Sequence, residues 1–166
     1  MYEILIGILI VFIAWFSAFL GNKYLLKRPK LALSIKDNFN GSSASNKPKH
    51  LIIKWNKYFV IKNLTENSAY NIHFYNIPTN IIIKTSSANN LEGFSEIQID
   101  FSFSEDINDG VVISSKNRFA DLLPSYFKEL SFGIEYENEL NKKFYTYFKK
   151  KNDTEKNRFY FWKVNA

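Results

Sequence analysis

The stretch 4-ILIGILIVFIAWFSAFL-20 is apolar throughout and carries no charge, and it decides the architecture of the chain. An α-helix rises about 1.5 Å per residue, so this run spans roughly 25 Å, the short end of the range for membrane-crossing helices. Tyr2 and Tyr24 flank the run and can extend the span as interfacial aromatic side chains. The sequence therefore predicts a transmembrane anchor at residues 1–22.

The alternative to a retained anchor is a cleaved signal peptide, which requires a basic segment before the apolar run and an A-x-A-like site after it. Met1, Tyr2 and Glu3 precede the run and no A-x-A pattern follows it, so a retained anchor is favoured. Basic side chains near a membrane helix stay in the cytoplasm, and here all of them follow the helix. We expect a single-pass protein of the inner (plasma) membrane, with its N-terminus outside and its C-terminal domain cytoplasmic; a periplasmic domain is the alternative.

Two sets of residues around the anchor are candidate contact sites. Small side chains recur on one helix face, the last four at i, i+3, i+4 and i+7 spacing, which lets another helix approach closely; they are Gly7, Ala14, Ser17, Ala18 and Gly21. Basic side chains follow in a juxtamembrane stalk at residues 23–30, where they can bind anionic lipid headgroups; they are Lys23, Lys27, Arg28 and Lys30. The predicted partners are membrane lipid and either another protein or a second copy of the chain.

Residues 31–166 are predicted to form one domain built from short strands. The clearest signal is the alternation of Ile97, Ile99, Phe101 and Phe103 with polar residues, which is typical of a half-buried strand. The same alternation predicts further strands at 31–36, 70–75, 130–136, 144–148 and 159–164, and short strands are predicted at 81–85 and 111–114. Eight or nine short strands at this spacing indicate a mainly β fold, an antiparallel two-sheet sandwich behind the N-terminal helix.

Three segments between these strands have their own signals. The polar stretch 38–49 is predicted to be a mobile loop. Residues 51–64 are either one long bent strand or a hairpin, because Asn56-Lys57 separates two apolar bursts. Residues 117–123 predict a helical turn that Pro124 stops.

The string from Phe59 to Ile72, FVIKNLTENSAYNI, resembles a hairpin of immunoglobulin-like domains found in small membrane-anchored bacterial proteins. The segment from Ile134 to Asn138, followed by Phe144-Tyr145-Thr146, resembles the paired strands that end those domains. The sequence departs from the pattern at 66–68, where ENS stands in place of the Gly and Pro common in such hairpins. The resemblance covers residues 31–148, implies an immunoglobulin-like fold and implies no activity.

Motifs for catalysis or metal binding are not found in the sequence. The chain has no cysteine, and His50 and His73 lack partners at ligand spacing, so no metal site is predicted. The acidic stretch 105–110 fails the EF-hand spacing and is better explained as a turn. No G-x-S-x-G, G-x-x-x-x-G-K-S/T or G-x-G-x-x-G motif occurs. We therefore expect neither an enzyme nor a bound cofactor.

The C-terminal region is rich in bases and aromatic residues. Residues 31–166 carry 18 of the 22 basic and 15 of the 16 acidic residues, so their net charge is only +3. The bases between Lys142 and Arg158 are interleaved with tyrosines, a composition that can bind anions, yet nearby glutamates dilute it. The sequence favours a solvated surface here, then anionic lipid, and disfavours nucleic acid. Tyr160, Trp162 and Val164 make the last strand apolar on both faces, and burial is preferred over an exposed edge.

These observations predict a membrane-tethered protein-interaction module that faces the cytoplasm, as a scaffold or a subunit of a membrane assembly. Sandwich domains bind through loops and edge strands, which need no signature residues. The alternative is a ligand-sensing membrane effector of a bacterial signalling or defence system, in which the domain binds a small anionic signal.

Overall fold

The computed structural model describes residues 2–21, 27–37, 43–47, 50–85, 87–108 and 123–164. Helix α1 (Tyr2–Leu20) has a mean hydropathy of 2.5 and none of its residues is buried, so it is long and apolar enough to cross a membrane. A second helix, α2 (Ser125–Lys128), is a single turn that follows Pro124. The rest of the described chain is β-strand and connecting turns.

The strands form two antiparallel sheets of five strands each, which confirms the mainly β fold. The first sheet has the order β1-β3-β7-β5, with β2 also paired to β3, and the second has the order β10-β9-β8-β4-β6. The strands are β1 (Leu31–Asp37), β2 (Ser43–Lys47), β3 (His50–Asn63), β4 (Ala69–Tyr75), β5 (Ile81–Ile83), β6 (Ser87–Leu91), β7 (Glu96–Asn108), β8 (Glu129–Glu137), β9 (Lys143–Lys151) and β10 (Thr154–Tyr160).

Strand β3 is the centre of the first sheet. On one edge it pairs with β7 along nearly its whole length, from His50 opposite Asn108 to Lys62 opposite Glu96. Its other edge is shared, because β2 pairs with residues 50–54 and β1 with residues 57–63. Residues 51–64 therefore lie in one long strand and not in a hairpin.

Aromatic rings hold the two sheets together. Phe59 of β3 stacks on Phe101 of β7, with ring centroids 4.0 Å apart, and lies 5.0 Å from Phe132 of β8 in the opposite sheet. Phe127 of α2 stacks at 4.5 Å on Phe103 of β7 and covers the core there. Full burial of each such side chain contributes about 1.5–3 kcal/mol, so this cluster is the main stabilising element of the domain.

Polar side chains of β10 close the sandwich along one side. The backbone N–H of Leu33 on β1 donates to Asn157 Oδ1 at 2.9 Å, and Asn157 Nδ2 donates back to the Leu33 carbonyl, also at 2.9 Å. The next outward N–H of β1, at Ile35, donates to Glu155 Oε1 at 3.1 Å. The free edge of β1 is thereby satisfied by side chains instead of by another strand.

The chain enters the domain at one end of the sandwich, which we call the entry end: residues 27–30 with the turns at 64–68, 92–95 and 138–142. The Leu64 N–H donates to the Lys30 carbonyl, and Asn138 Nδ2 donates to the Lys27 carbonyl. Fully buried Asn63 orders the turn beside them, because its side chain bonds Thr65 and the carbonyls of Asn67 and Glu92. Helix α2 and the β9–β10 turn lie at the opposite end.

Several predicted boundaries are corrected by the structure. Residues 43–47, expected in a mobile loop, form β2, because residues 50–54 of β3 offer them an edge to pair with. The strand expected at 81–85 ends at 83, and β6 at 87–91 was not predicted. The strand expected at 111–114 and nearly all of the helical turn at 117–123 lie outside the described residues.

The final strand differs most from its prediction. Strand β10 ends at Tyr160, and the residues after it bend away, so the alternation through Phe161, Trp162 and Val164 is not that of a strand. The expected burial is wrong for Trp162, whose side chain is 65% exposed. The strand instead begins at Thr154, in a stretch with few apolar residues.

Candidate functional site

A groove rich in bases lies on the outer face of the second sheet, where β9 and β10 pair. It encloses about 410 Å³, and we call it the basic groove; its lining residues are Lys149, Lys151, Asn152, Thr154, Lys156 and Arg158. The strand register explains the cluster, because Lys149 stands directly opposite Lys156 and Lys151 opposite Thr154. Side chains alternate between the two faces of a strand, so these bases share the solvent side while Phe148 enters the core.

Two of the glutamates expected to dilute this patch are held by other partners. Glu135 pairs with Lys143 at 2.6 Å, and Glu155 accepts the Ile35 N–H on the inner side of β10. In the part of the chain that the structure describes, none of the four bases of the groove forms an ion pair. Two exposed carboxylates lie near the groove. Glu129 of β8 stands opposite Lys151, and Asp153 lies in the turn between β9 and β10. Like charges directly opposite on paired strands repel, so an anion in the groove would relieve repulsion.

An aromatic surface continues from the groove toward β4. Tyr75 lies over Gly133, where a Cβ atom would come within 2.0 Å of the tyrosine Cζ, so only glycine leaves room for this ring. Tyr145 meets Tyr75 edge to face at 6.2 Å, and Lys163 Nζ lies 4.9 Å from the Tyr75 ring centroid. Burial raises the pKa of both the Tyr75 and the Tyr145 hydroxyl. These neutral rings beside the bases can supply stacking and cation–π contacts to a ligand.

A second groove lies between the sheets, on the side away from β1 and β10. It encloses about 470 Å³ between β6 and β7, and its lining residues are Lys84, Thr85, Ser87, Ala88, Ile97, Gln98, Ile99 and Asp100. Partly apolar walls and exposed strand edges are the features that bind extended peptides. We call residues 96–100 of β7, on the side facing this groove, the open edge.

The direction in which each residue of β7 points its backbone N–H and C=O shows which groups the open edge presents. Lys84 donates its N–H to the Asp100 carbonyl at 3.1 Å, so Asp100 directs its backbone groups away from β3. Successive residues alternate in this direction, so Gln98 and Glu96 direct theirs the same way. Strand β5 pairs only with residues 101–103, and no strand in the described chain pairs with 96–100 on this side. Within the described chain, Gln98 and Glu96 therefore offer unpaired backbone groups to an added strand, whereas the Asp100 carbonyl is already bonded to Lys84.

The small residues predicted for helix association all lie on α1 or directly after it, and the helix carries a contrasting face. Around a helix at 100° per residue, the stripe of Gly7, Ala14, Ser17, Ala18 and Gly21 lies roughly opposite an aromatic ridge. In that ridge Phe12 stacks on Phe16 and Trp15 on Phe19, at 6.2 and 5.8 Å. A Cβ at Gly7 or Gly21 would meet no atom within 4 Å, so the described chain itself leaves the stripe uncovered.

The predicted lipid-binding bases separate into different environments. Lys23 lies outside the described residues, and Lys30 is exposed. Lys27 forms an ion pair with Glu139 of the β8–β9 turn. A headgroup role remains a prediction for these three residues.

Arg28 requires a correction, because the structure places it inside the β-domain. Its side chain is 8% exposed, and its guanidinium carbon lies 4.2 Å from the Phe161 ring centroid and 5.7 Å from that of Phe144. Burial lowers its pKa, and among the described residues two guanidinium nitrogens, Nε and Nη2, find no hydrogen-bond partner. Residues 27–30 thus pack against the β-domain, and the buried Arg28 side chain is withdrawn from a lipid headgroup.

No group of three histidine, aspartate or glutamate side chains in the described chain could hold a metal ion. His73 is exposed on β4, and the side chain of His50 lies outside the described residues. Residues 105–108, expected in an acidic turn, continue β7 instead, and Asp109-Gly110 lie outside the described chain. Within the described chain these residues therefore do not gather into a metal centre.

The bases of the groove are evident in the sequence. The open edge is not, and neither are Asn157 and Glu155 as the side chains that bond the edge of β1. An edge is a property of strand order, which sequence alternation does not report. Residues 154–158 are polar at every position, so the sequence does not distinguish the inward-facing Glu155 and Asn157 from their neighbours. No model of a known protein family matches the chain. A comparison with curated proteins likewise gives no match.

Proposed function

We propose that the chain is a single-pass membrane protein whose immunoglobulin-like sandwich faces the cytoplasm and binds another protein. The apolar helix supports the membrane location, and the bases that all follow it support the orientation. The assembly role, as a scaffold or subunit, follows from a domain with binding surfaces and no catalytic centre assigned to it.

The strand order supports the immunoglobulin-like assignment. The order β1-β3-β7-β5 corresponds to strands A-B-E-D of that fold, and β9-β8-β4-β6 corresponds to G-F-C-C′. One departure is that β5, in the position of strand D, precedes β6 in the chain. Strands β2 and β10 are additions to the pattern.

The open edge is the observation that carries the protein-binding proposal. On the opposite side of the sandwich the edge of β1 is satisfied by Asn157 and Glu155. On the side of β7 that faces away from β3, the described residues give 96–100 a single backbone contact, from Lys84. Ile97 and Ile99 supply apolar surface beside the unpaired backbone. An extended segment of a partner fits here as an added strand, with affinity from backbone hydrogen bonds. The small-residue stripe of α1 offers a second contact within the membrane.

A backbone substitution tests this proposal. Gln98→Pro removes the outward N–H of the open edge, and proline is tolerated where an N–H does not bond a neighbouring strand. Gln98→Ala is the matched control, because it changes the side chain and keeps the N–H. We expect the partner to co-purify with the wild type and Gln98→Ala and to be lost from Gln98→Pro at unchanged folding. Equal recovery of the partner with both variants would show that the partner does not bind the open edge.

The orientation has its own test, because the chain contains no cysteine. Ile82→Cys places a single thiol at a side chain that is 65% exposed. We expect a membrane-impermeant maleimide to leave it unlabelled in intact cells and spheroplasts and to label it after lysis. Labelling in spheroplasts before lysis would place the domain on the outer side of the membrane.

The basic groove favours a second candidate function, a ligand-sensing membrane effector. Four bases without ion pairs beside an aromatic surface can bind a small phosphate-bearing or other anionic signal. A ligand present at about 100 times its Kd stabilises the folded chain by about 2.7 kcal/mol, which a thermal shift detects. We expect stabilisation by members of a nucleotide and polyphosphate panel, abolished in Lys149→Ala/Lys156→Ala and retained in Lys62→Ala. A flat response of the wild type to the panel would count against this candidate.

A further inference from the structure

The exposed apolar side chains of the β-domain are concentrated at its entry end. In the described part of the domain, the large apolar residues that are exposed, apart from Ile82, lie at or beside this end. Tyr70 is the least exposed of them, and the other five are Leu64 (45%), Phe94 (69%), Leu140 (43%), Phe161 (39%) and Trp162 (65%). Exposed aromatic and leucine side chains gathered in one region mark a surface that contacts another apolar phase.

Backbone contacts tie these side chains to the point where the chain enters. Leu64 donates its N–H to the carbonyl of Lys30, and Phe94 donates its N–H to Thr65 beside it. Leu140 lies in the turn that Asn138 joins to Lys27. We call these five residues the apolar rim, because they surround segment 27–30 at the tips of loops.

Phe161 and Trp162 complete the rim on the side of β10. The Phe161 ring packs on the buried Arg28 guanidinium at 4.2 Å and on Phe144 at 5.9 Å, so one of its faces is fixed and the other is exposed. Trp162 follows directly and lies 6.2 Å from Tyr160. Two adjacent aromatic residues beyond the end of a strand are therefore held at the surface by packing beneath them.

The length of chain between helix and domain determines what the rim faces. Helix α1 ends at Leu20 and the domain begins at Lys27, and the connecting residues reach at most about 25 Å when fully extended. The rim surrounds the end to which this tether is attached. If α1 crosses a bilayer, the rim is the part of the domain nearest to that bilayer.

We propose that the apolar rim docks on the surface of the bilayer that α1 crosses, with its aromatic side chains at the level of the lipid headgroups. Tryptophan, phenylalanine and leucine beside lysine are the composition of interfacial contacts. Exposed Lys30, Lys62 and Lys163 are offset by exposed Glu66, Glu92 and Glu96, so docking relies on apolar burial and not on anionic lipid. This inference rests on the membrane location in the proposed function and adds a second, reversible membrane contact.

Depth measurements on the full-length chain test the proposal. Because the chain has no cysteine, Phe94→Cys and Trp162→Cys each accept a single nitroxide label. Ile82→Cys is the matched control, because Ile82 is as exposed as Trp162 but pairs with Ser102 in the middle of β7. Ile10→Cys reports whether the helix is inserted. Each variant is placed in nanodiscs of zwitterionic phosphatidylcholine, and its accessibility to oxygen and to a water-soluble nickel chelate is compared.

We expect labels 94 and 162 to show at least a threefold higher oxygen-to-nickel accessibility ratio than label 82, with label 10 higher still. A label at Leu140→Cys should show the same high ratio as labels 94 and 162. Adding Phe94→Ser and Trp162→Ser should lower its ratio to the aqueous value of label 82. Aqueous ratios at 94 and 162 with label 10 in lipid would overturn the rim proposal alone. An aqueous ratio at label 10 would overturn the membrane location and this inference together. Docking that requires anionic lipid and is released by salt would overturn the apolar basis.

Discussion

The side-chain closure of β1 leads to a quantitative prediction for Asn157→Ala. Asn157 makes two hydrogen bonds of 2.9 Å to the backbone of Leu33, a residue that is 2% exposed. Each such bond contributes about 0.5–1.5 kcal/mol, and leaving a buried backbone group unpaired costs about 1–3 kcal/mol. Because water reaches this edge in part, we expect a loss of about 2 kcal/mol in the free energy of unfolding.

The assay is thermal unfolding of the protein in detergent micelles, followed by tryptophan fluorescence, in which Trp55 is the buried member of the three tryptophans. A loss of about 2 kcal/mol lowers the Tm of a domain of this size by about 6–10 °C. Lys156→Ala is the matched control, because Lys156 lies next to Asn157 on the same strand with its side chain in solvent. A Tm for Asn157→Ala within about 2 °C of that control would refute the reasoning that side chains of β10 stabilise the β1 edge.

Two further predictions concern the aromatic residues. Gly133→Ala forces a Cβ to within 2.0 Å of the Tyr75 ring. We therefore expect urea unfolding to show a loss of about 1–3 kcal/mol in the free energy of unfolding. Wild-type stability of this variant would show that the ring can move aside without cost. Burial raises the pKa of Tyr136, so the folded state keeps this proton more tightly than the unfolded state. Its contribution to stability is complete below the ordinary tyrosine pKa of about 10 and is lost as the pH rises above that value. Urea titrations from pH 8 to 11 should therefore show falling stability, with a shallower fall in Tyr136→Phe; equal slopes for the two proteins would contradict this.

The fold was predictable where side-chain alternation follows the core. Ile97, Ile99, Phe101 and Phe103 lie on β7 as expected, because each must bury an apolar side chain on the same face. Residues 51–64 were ambiguous because Asn56-Lys57 interrupts the apolar pattern. The strand continues through the interruption, since Lys57 pairs with Asp37 and its ammonium lies 5.3 Å from the Phe127 ring. Partners distant in sequence resolve an ambiguity that local pattern cannot.

Strand β10 was misplaced for the opposite reason. Its inward positions hold Glu155 and Asn157, which bond the backbone of β1 instead of filling the core, so the usual apolar signal is missing. The apolar residues that follow, Phe161 and Trp162, resemble a strand in composition but lie at the entry end. The prediction depended on apolar residues facing the core and polar residues facing solvent, and both groups of residues do the opposite here.

The candidate sites were predictable only in part. The bases of the groove were evident from the sequence, but their exposure depends on where the acids go, and Glu135 and Glu155 are engaged elsewhere by Lys143 and Ile35. Arg28 was grouped with the stalk because its neighbours are basic. Its burial against Phe161 depends on a contact more than a hundred residues distant, which charge patterning does not report.

Site-specific photo-crosslinking in the native membrane can determine whether the open edge of β7 receives a protein partner. A photoreactive amino acid replaces Gln98 at the open edge or, as a control, Lys36, an exposed residue on β1. We expect a discrete protein adduct from position 98 and none from position 36; an adduct at twice the mass of the chain would identify a second copy as the partner. No adduct from position 98, or equal adducts from both positions, would contradict it.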